Sequence, residues 1–175
     1  DELQVFGNFN LLNAGLASAI AREVKVPKDI IRSSLSDFEA VEGRLDVYKI
    51  NNASIYVGKT DNSDALASVL SEKDFYALFI GTPRHNEEHR LDILDVAVKY
   101  NPEVIVLFPG LEDTLDMAIY RLNLLGYNGN IITVHSLDEI IELVAEYSHE
   151  DAILIGGNGQ EAIIEIQERV RLITS

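Results

Sequence analysis

Two runs in this chain, Val104-Ile105-Val106-Leu107 and Ala152-Ile153-Leu154-Ile155, are apolar at every position. A strand with one wet face alternates polar and apolar residues. A run with no polar member is a strand covered on both faces, as in a parallel sheet sandwiched between helices. That feature confines the chain to an α/β class. Strands are expected at Asp46–Ile50, Ser54–Gly58, Ala77–Gly81, Val104–Phe108, Ile131–Val134 and Ala152–Ile155. Amphipathic helices are expected between and after them, at Ser63–Leu70, Glu87–Lys99, Glu112–Leu125, Leu137–Tyr147 and Gln160–Leu172. Ser136 followed by Glu139 has the spacing of a capping box, and Gly126 stands where the preceding helix needs a left-handed stop. From Asn13 to Phe38 the apolar residues instead keep helical spacing (Leu16, Ala17, Ile20, Val24, then Ile30, Ile31, Leu35, Phe38). Pro27 interrupts them, which predicts two short helices joined by a turn, and Gly43 marks a break. The expected architecture is α/β: a mostly parallel sheet with helices on both faces, preceded by a short helical segment. The division falls between residues 1–43 and 44–175.

Charge and composition narrow the partners. A formal net charge of −15 with no Lys/Arg run disfavours nucleic acid and anionic membrane surfaces, both of which attract clustered cations. No apolar stretch is long enough to span a bilayer, and the first residues lack the basic and apolar segments of a signal peptide. With no cysteine there are no disulfides, thiolate nucleophiles or Cys-based zinc sites, which suits a cytoplasmic protein. The 47% hydrophobic content over 175 residues is enough for one cored domain with an appended fragment.

Several short patterns carry possible chemistry. Gly156-Gly157-Asn158-Gly159 lies between a buried strand and a helix, where bare backbone lets N–H groups approach an anion or small ligand. A tight turn with no ligand accounts for it equally well. Glu161, in the first helical turn, suits either a ligand amine or the helix dipole. Gly58-Lys59-Thr60 is not a phosphate loop of the Walker type, because Ala53 stands where its first glycine is required; Lys59 remains available as a point charge. His85-Asn86-Glu87-Glu88-His89 matches a zinc peptidase pattern. Against it, Asn86 and the two acids read as a helix cap and first turn, which would put His85 outside the helix, and no third ligand is identifiable. No metal site and no catalytic side chain is therefore assigned. His135 and His149 have no paired nucleophile.

Four blocks, in order, give a more specific signal. Gly7-Asn8-Phe9-Asn10-Leu11-Leu12-Asn13-Ala14 resembles the stretch that closes the central ATPase domain of Mur ligases. Leu35-Ser36-Asp37-Phe38 through Val41-Glu42-Gly43-Arg44-Leu45 resembles that family's interdomain junction. Lys59-Thr60-Asp61-Asn62-Ser63-Asp64-Ala65-Leu66 is similar to the segment that begins its C-terminal domain, and Leu154-Ile155-Gly156-Gly157-Asn158-Gly159-Gln160-Glu161 to a later glycine turn. The stretch from Gly110 to Tyr127 further resembles MurT, a Mur-like subunit that amidates with a glutaminase partner.

The resemblance implies the helical end of a central domain at 1–43 and a Rossmann-like C-terminal domain at 44–175, with the N-terminal and main ATPase regions missing. It implies ATP and magnesium in the full-length enzyme, a carboxylate phosphorylated to an acyl phosphate, and an amine that attacks it. It also implies roles: Asn10 and Asn13 near the adenine, Arg44 on the nucleotide, Lys59 at the phosphates, and Gly157, Asn158 and Glu161 around the amine. Asn13 has a plainer reading as a helix cap. Asn158 and Gln160 replace the family's Lys and His, Val57-Gly58 stand where it often has a ribose-binding Asp, and Phe108-Pro109-Gly110 replaces its D-N-P-R motif. The acceptor implied is a cell-wall precursor that gains an amino acid or amide, with folate, cyanophycin or a tetrapyrrole cofactor as other acceptors, or a non-catalytic ligand-binding module, as the alternatives.

Overall fold

The two all-apolar runs become β4 (Val104–Phe108) and β6 (Ala152–Gly157), both buried throughout. The computed structural model describes residues 8–38 and 44–174. The other strands are β1 (Asp46–Ile50), β2 (Ala53–Val57), β3 (Ala77–Gly81) and β5 (Asn130–Thr133). The sheet order is β1-β2-β6-β3-β4-β5, with β1 antiparallel to β2 and every other neighbouring pair parallel.

Alternation along each buried strand feeds two cores. Ile105 and Leu107 of β4 point into one, with Leu78 and Ile80 of β3. That face is covered by α3 (Ser63–Leu70), α4 (Asp92–Tyr100) and α5 (Leu115–Leu124). Val104, Val106 and Phe108 point into the other, against α6 (Leu137–Glu146) and α7 (Gln160–Thr174). Two apolar cores explain why neither strand tolerates a polar residue. Among the described residues, both are built from Leu45 and beyond.

Local signals set most helix ends. Asn62 caps α3, its side chain accepting from the Ala65 N–H at 2.9 Å. Ser136 caps α6 in a complete capping box with Glu139. Gly126 takes φ +69° after α5, the left-handed stop expected. The two early helices are α1 (Asn8–Glu23) and α2 (Lys28–Ser36). The expected break at Gly43 lies outside the described residues.

Three expectations are corrected. The single helix expected at Glu87–Lys99 is a 3₁₀ segment, His85–Leu91, followed by α4; Glu87 (φ −116°, ψ 35°) departs from helical geometry. Asn86 therefore caps nothing. The helix expected from Glu112 starts three residues later, because Thr114 donates its hydroxyl to the Pro83 carbonyl at 2.8 Å and Glu112 bonds to His85. Asn13 lies inside α1 rather than at its cap. Its capping reading falls.

Candidate functional site

Because β2, β3, β4 and β6 run parallel, the loops that follow them share one edge of the sheet. Strand order reverses between β3 and β6, since β3, β4 and β5 proceed outward on one side while β6 returns to the other. Open α/β sheets bind ligands outside the carboxyl ends of the strands at such a reversal.

Glycine lets the loops meet there. Gly157 has φ +88°, and a Cβ on it would lie 2.7 Å from the Gly81 nitrogen. The Asn158 N–H donates to the Gly81 carbonyl at 2.9 Å. From the β2 side, the Thr60 hydroxyl oxygen accepts from the Gly157 N–H at 2.9 Å. The Lys59 loop and the glycine turn are thus joined by a hydrogen bond from backbone to side chain.

Charged side chains complete the join. Lys59 Nζ lies 3.3 Å from Asp61 Oδ2, and Arg90 reaches the same oxygen at 3.2 Å. Arg90 also donates to Asn158 Oδ1 at 3.4 Å and lies 3.3 Å from Glu87. Asn158 is fully buried, and its amide nitrogen faces the Gly81 carbonyl at 3.4 Å. Its side chain is therefore engaged inside the protein. Glu161 is exposed on the first turn of α7, at the rim of the same edge. Arg44 is exposed just before β1, whose start pairs with the end of β2. Its carbonyl accepts from Gln167 Nε2 at 3.3 Å.

Five expected residues, Arg44, Lys59, Gly157, Asn158 and Glu161, thus gather at this edge. Asn10 (half-buried) and Asn13 (exposed) lie on α1. Thr60, Asp61 and Arg90 belong to the cluster although none of them carries a role by sequence: Thr60 and Asp61 stand inside a block of the family resemblance, and Arg90 in none. Arg90 meets Asp61 across 29 positions and Asn158 across 68, separations at which no local spacing rule operates.

The histidine pattern is used otherwise. The His85 ring nitrogen lies 2.7 Å from Glu112, and the His85 backbone N–H donates to the same carboxylate at 3.0 Å. These contacts, the backbone one foremost, hold Glu112 below the usual carboxylate range. His89 is exposed, and the kink at Glu87 breaks the shared helix face that the zinc reading needs. Among the described residues no group of three or more His, Asp or Glu side chains is placed to hold a metal ion. A crevice of about 130 Å³ opens between Phe108, Pro109, Leu137 and Ile166, with His135 and Glu165 at its lining.

No family model matches the chain. In sequence it is 28% identical over 150 residues to the UDP-N-acetylmuramoylalanine–D-glutamate ligase of Lachnoclostridium phytofermentans, covering 85% of this chain and 32% of that protein. It is 28% identical over 171 residues to the UDP-N-acetylmuramoyl-L-alanyl-D-glutamate–2,6-diaminopimelate ligase of Oceanobacillus iheyensis, covering 90% of this chain and 34% of that protein. Solved structures of similar fold include the UDP-N-acetylmuramate-alanine ligase MurC of Thermotoga maritima (TM-score 0.69, 19% identity, 97% of this chain and 39% of that one). Folylpolyglutamate synthase from Thermotoga maritima gives 0.70 at 18% identity over 97% of this chain and 40% of that one. MurF from Acinetobacter baumannii gives 0.70 at 14% over 96% and 39%. The chain spans about a third of the length of the curated relatives it matches. In sequence it resembles the Mur ligases, and its fold is that of their C-terminal domain.

Proposed function

We propose that this chain is the C-terminal part of an ATP-dependent carboxylate–amine ligase of the Mur type, acting through an acyl phosphate on a cell-wall precursor. The observation that carries the proposal is the sequence similarity, over 85% and 90% of the chain, to two ligases of that kind. Residues 1–43 are the end of the central domain and 44–175 the C-terminal domain. Two features support this division. Among the described residues the cores draw on Leu45 and beyond, while Leu12, Leu16 and Ile20 of α1 are 58–76% exposed, an apolar face suited to the remaining ligase.

In this reading Arg44 and Lys59 serve the nucleotide, with Asn10 and Asn13 towards its base. Gly157, Asn158 and Glu161 border the amine, Asn158 through Arg90 rather than directly. A planar guanidinium at Arg44 and a point charge at Lys59 suit phosphate oxygens. Glu161, at the open rim, suits an ammonium group. Magnesium, which the resemblance implies alongside ATP, has no donor set among the described residues. It would be held by the nucleotide and the rest of the ligase.

The fold leaves the acceptor open, because folylpolyglutamate synthase and MurF are matched equally well. Amidation with a glutaminase subunit is the narrower form of the proposal, supported by the stretch from Gly110 to Tyr127. The test is to purify the intact protein that contains this chain and supply ATP, acceptor candidates and hydroxylamine. An acyl phosphate gives a hydroxamate with release of inorganic phosphate, and ADP forms only when an acceptor carboxylate is present. Acceptor-independent ADP release, or no ADP with any of the acceptor classes, would sink the proposal.

A further inference from the structure

Two cations share one oxygen at the centre of the site. Lys59 Nζ and Arg90 both lie against Asp61 Oδ2, at 3.3 and 3.2 Å, and the Asp61 side chain is only 19% exposed. A carboxylate that far out of water needs a counterion, and losing its only one is costly. With two, it can surrender either.

The geometry points to Asp61 as a latch on Lys59, and to Arg90 as the positioning residue that lets the latch open. In the observed state the Lys59 ammonium is occupied by Asp61. To give its charge to a phosphate it must leave that partner. Arg90 is fixed independently of Lys59, by Glu87 at 3.3 Å and Asn158 Oδ1 at 3.4 Å. It therefore stays against Asp61 when Lys59 departs, and the carboxylate keeps a partner throughout. Without Arg90, Asp61 has one cation and holds it. Because Arg90 also touches Asn158, the latch ties the Lys59 loop to the turn at the other half of the site.

This inference rests on the proposed phosphate role of Lys59, so its test has one arm that depends on the ligase reading and one that does not. In the 175-residue chain, NMR relaxation of the Lys59 ammonium reports how firmly it is held. Asp61→Asn is expected to loosen it and Arg90→Ala to tighten it; no change in either overturns the latch whatever the protein catalyses. In the intact ligase, Arg90→Ala is expected to raise the KM for ATP roughly five- to twentyfold, because Lys59 must then be drawn from a carboxylate with no other cation. The KM for the amine should move little. Arg90→Lys should recover part of the loss, and Arg90→Ala combined with Asp61→Asn most of it, because no latch remains to be opened.

A merely structural Arg90 predicts the opposite, since removing a second charge would not restore function. A double variant no better than Arg90→Ala, beside an impaired Lys59→Ala, overturns the latch and leaves the ligase reading standing. An unimpaired Lys59→Ala removes the phosphate role and the latch with it. If Arg90→Ala melts early, Asp61→Asn alone decides: an ATP KM at or below the wild-type value supports the latch, and a raised one refutes it.

Discussion

Arg44 and Glu161 sit at the same sheet edge but serve different partners in the proposed reaction, so their variants should separate kinetically. Arg44→Ala in the intact ligase is expected to weaken ATP use by about 1–3 kcal/mol, the loss of a charged hydrogen bond. Glu161→Gln should raise the KM for the amine and leave that for ATP nearly unchanged. Steady-state kinetics with each substrate varied in turn measures both, and unchanged constants in both variants would reject the assignment. Gly157 makes a prediction about the backbone. Its φ of +88°, and the 2.7 Å approach of a Cβ to the Gly81 nitrogen, mean that Gly157→Ala strains the turn and pushes β3 from β6. A loss of at least about 1–3 kcal/mol in denaturant stability is expected. The glycine turn was legible as a turn from its residues alone. Its bond to Thr60 was not, because Thr60 and Gly157 are 97 positions apart.

The capping box at α6 shows how far an element can be read from four residues. Ser136 and Glu139 were enough to place its start, and the structure closes both halves of the box. Ser136→Ala should cost about 0.5–2 kcal/mol in thermal or denaturant unfolding. Glu139 is held below the usual carboxylate range, chiefly by the His135 backbone N–H, then by Ser136. A carboxylate whose folded pKa is depressed stabilises the fold above its ordinary unfolded value and loses that contribution as pH falls through the folded one. The stability gap between wild type and Glu139→Gln should therefore be largest near neutrality and close on acidification below the ordinary glutamate range. A gap that widens towards low pH would refute the assignment. The start of α5 was misjudged for the complementary reason: Glu112 and Thr114 look like first-turn residues, but tertiary partners at His85 and Pro83 hold them outside it.

At the scale of the whole molecule, the two apolar cores draw, among the described residues, on Leu45 and beyond, and α1 leaves an apolar face open. A shortened chain of residues 44–175 is expected to unfold cooperatively, with a midpoint within a few degrees of the 175-residue chain. Loss of cooperativity would show that α1 and α2 belong to the same folding unit. The 175-residue chain alone should neither hydrolyse ATP nor form amides, since no phosphate loop and, among the described residues, no metal-binding cluster is present. Robust turnover by the purified chain, abolished in Lys59→Ala, would overturn the proposal that it is one part of a larger ligase. Among the described residues no helix is long and apolar enough to cross a membrane.

The sequence by itself determined the layers. Continuous apolar runs require cover on both faces, periodicity of 3.6 marks the covering helices, and caps and glycines mark most of their ends; all of these act between residues close in the chain. It also carried the resemblance, in four short blocks whose order is the signal. Only the tertiary structure decided the order of the strands, and hence which loops share an edge. From that order come the join between Thr60 and Gly157, the internal use of Asn158, and the reach of Arg90 to Asp61. Each is a polar contact between segments that meet because parallel strands deliver them to one edge, and pairing of that kind leaves no periodic trace along the chain.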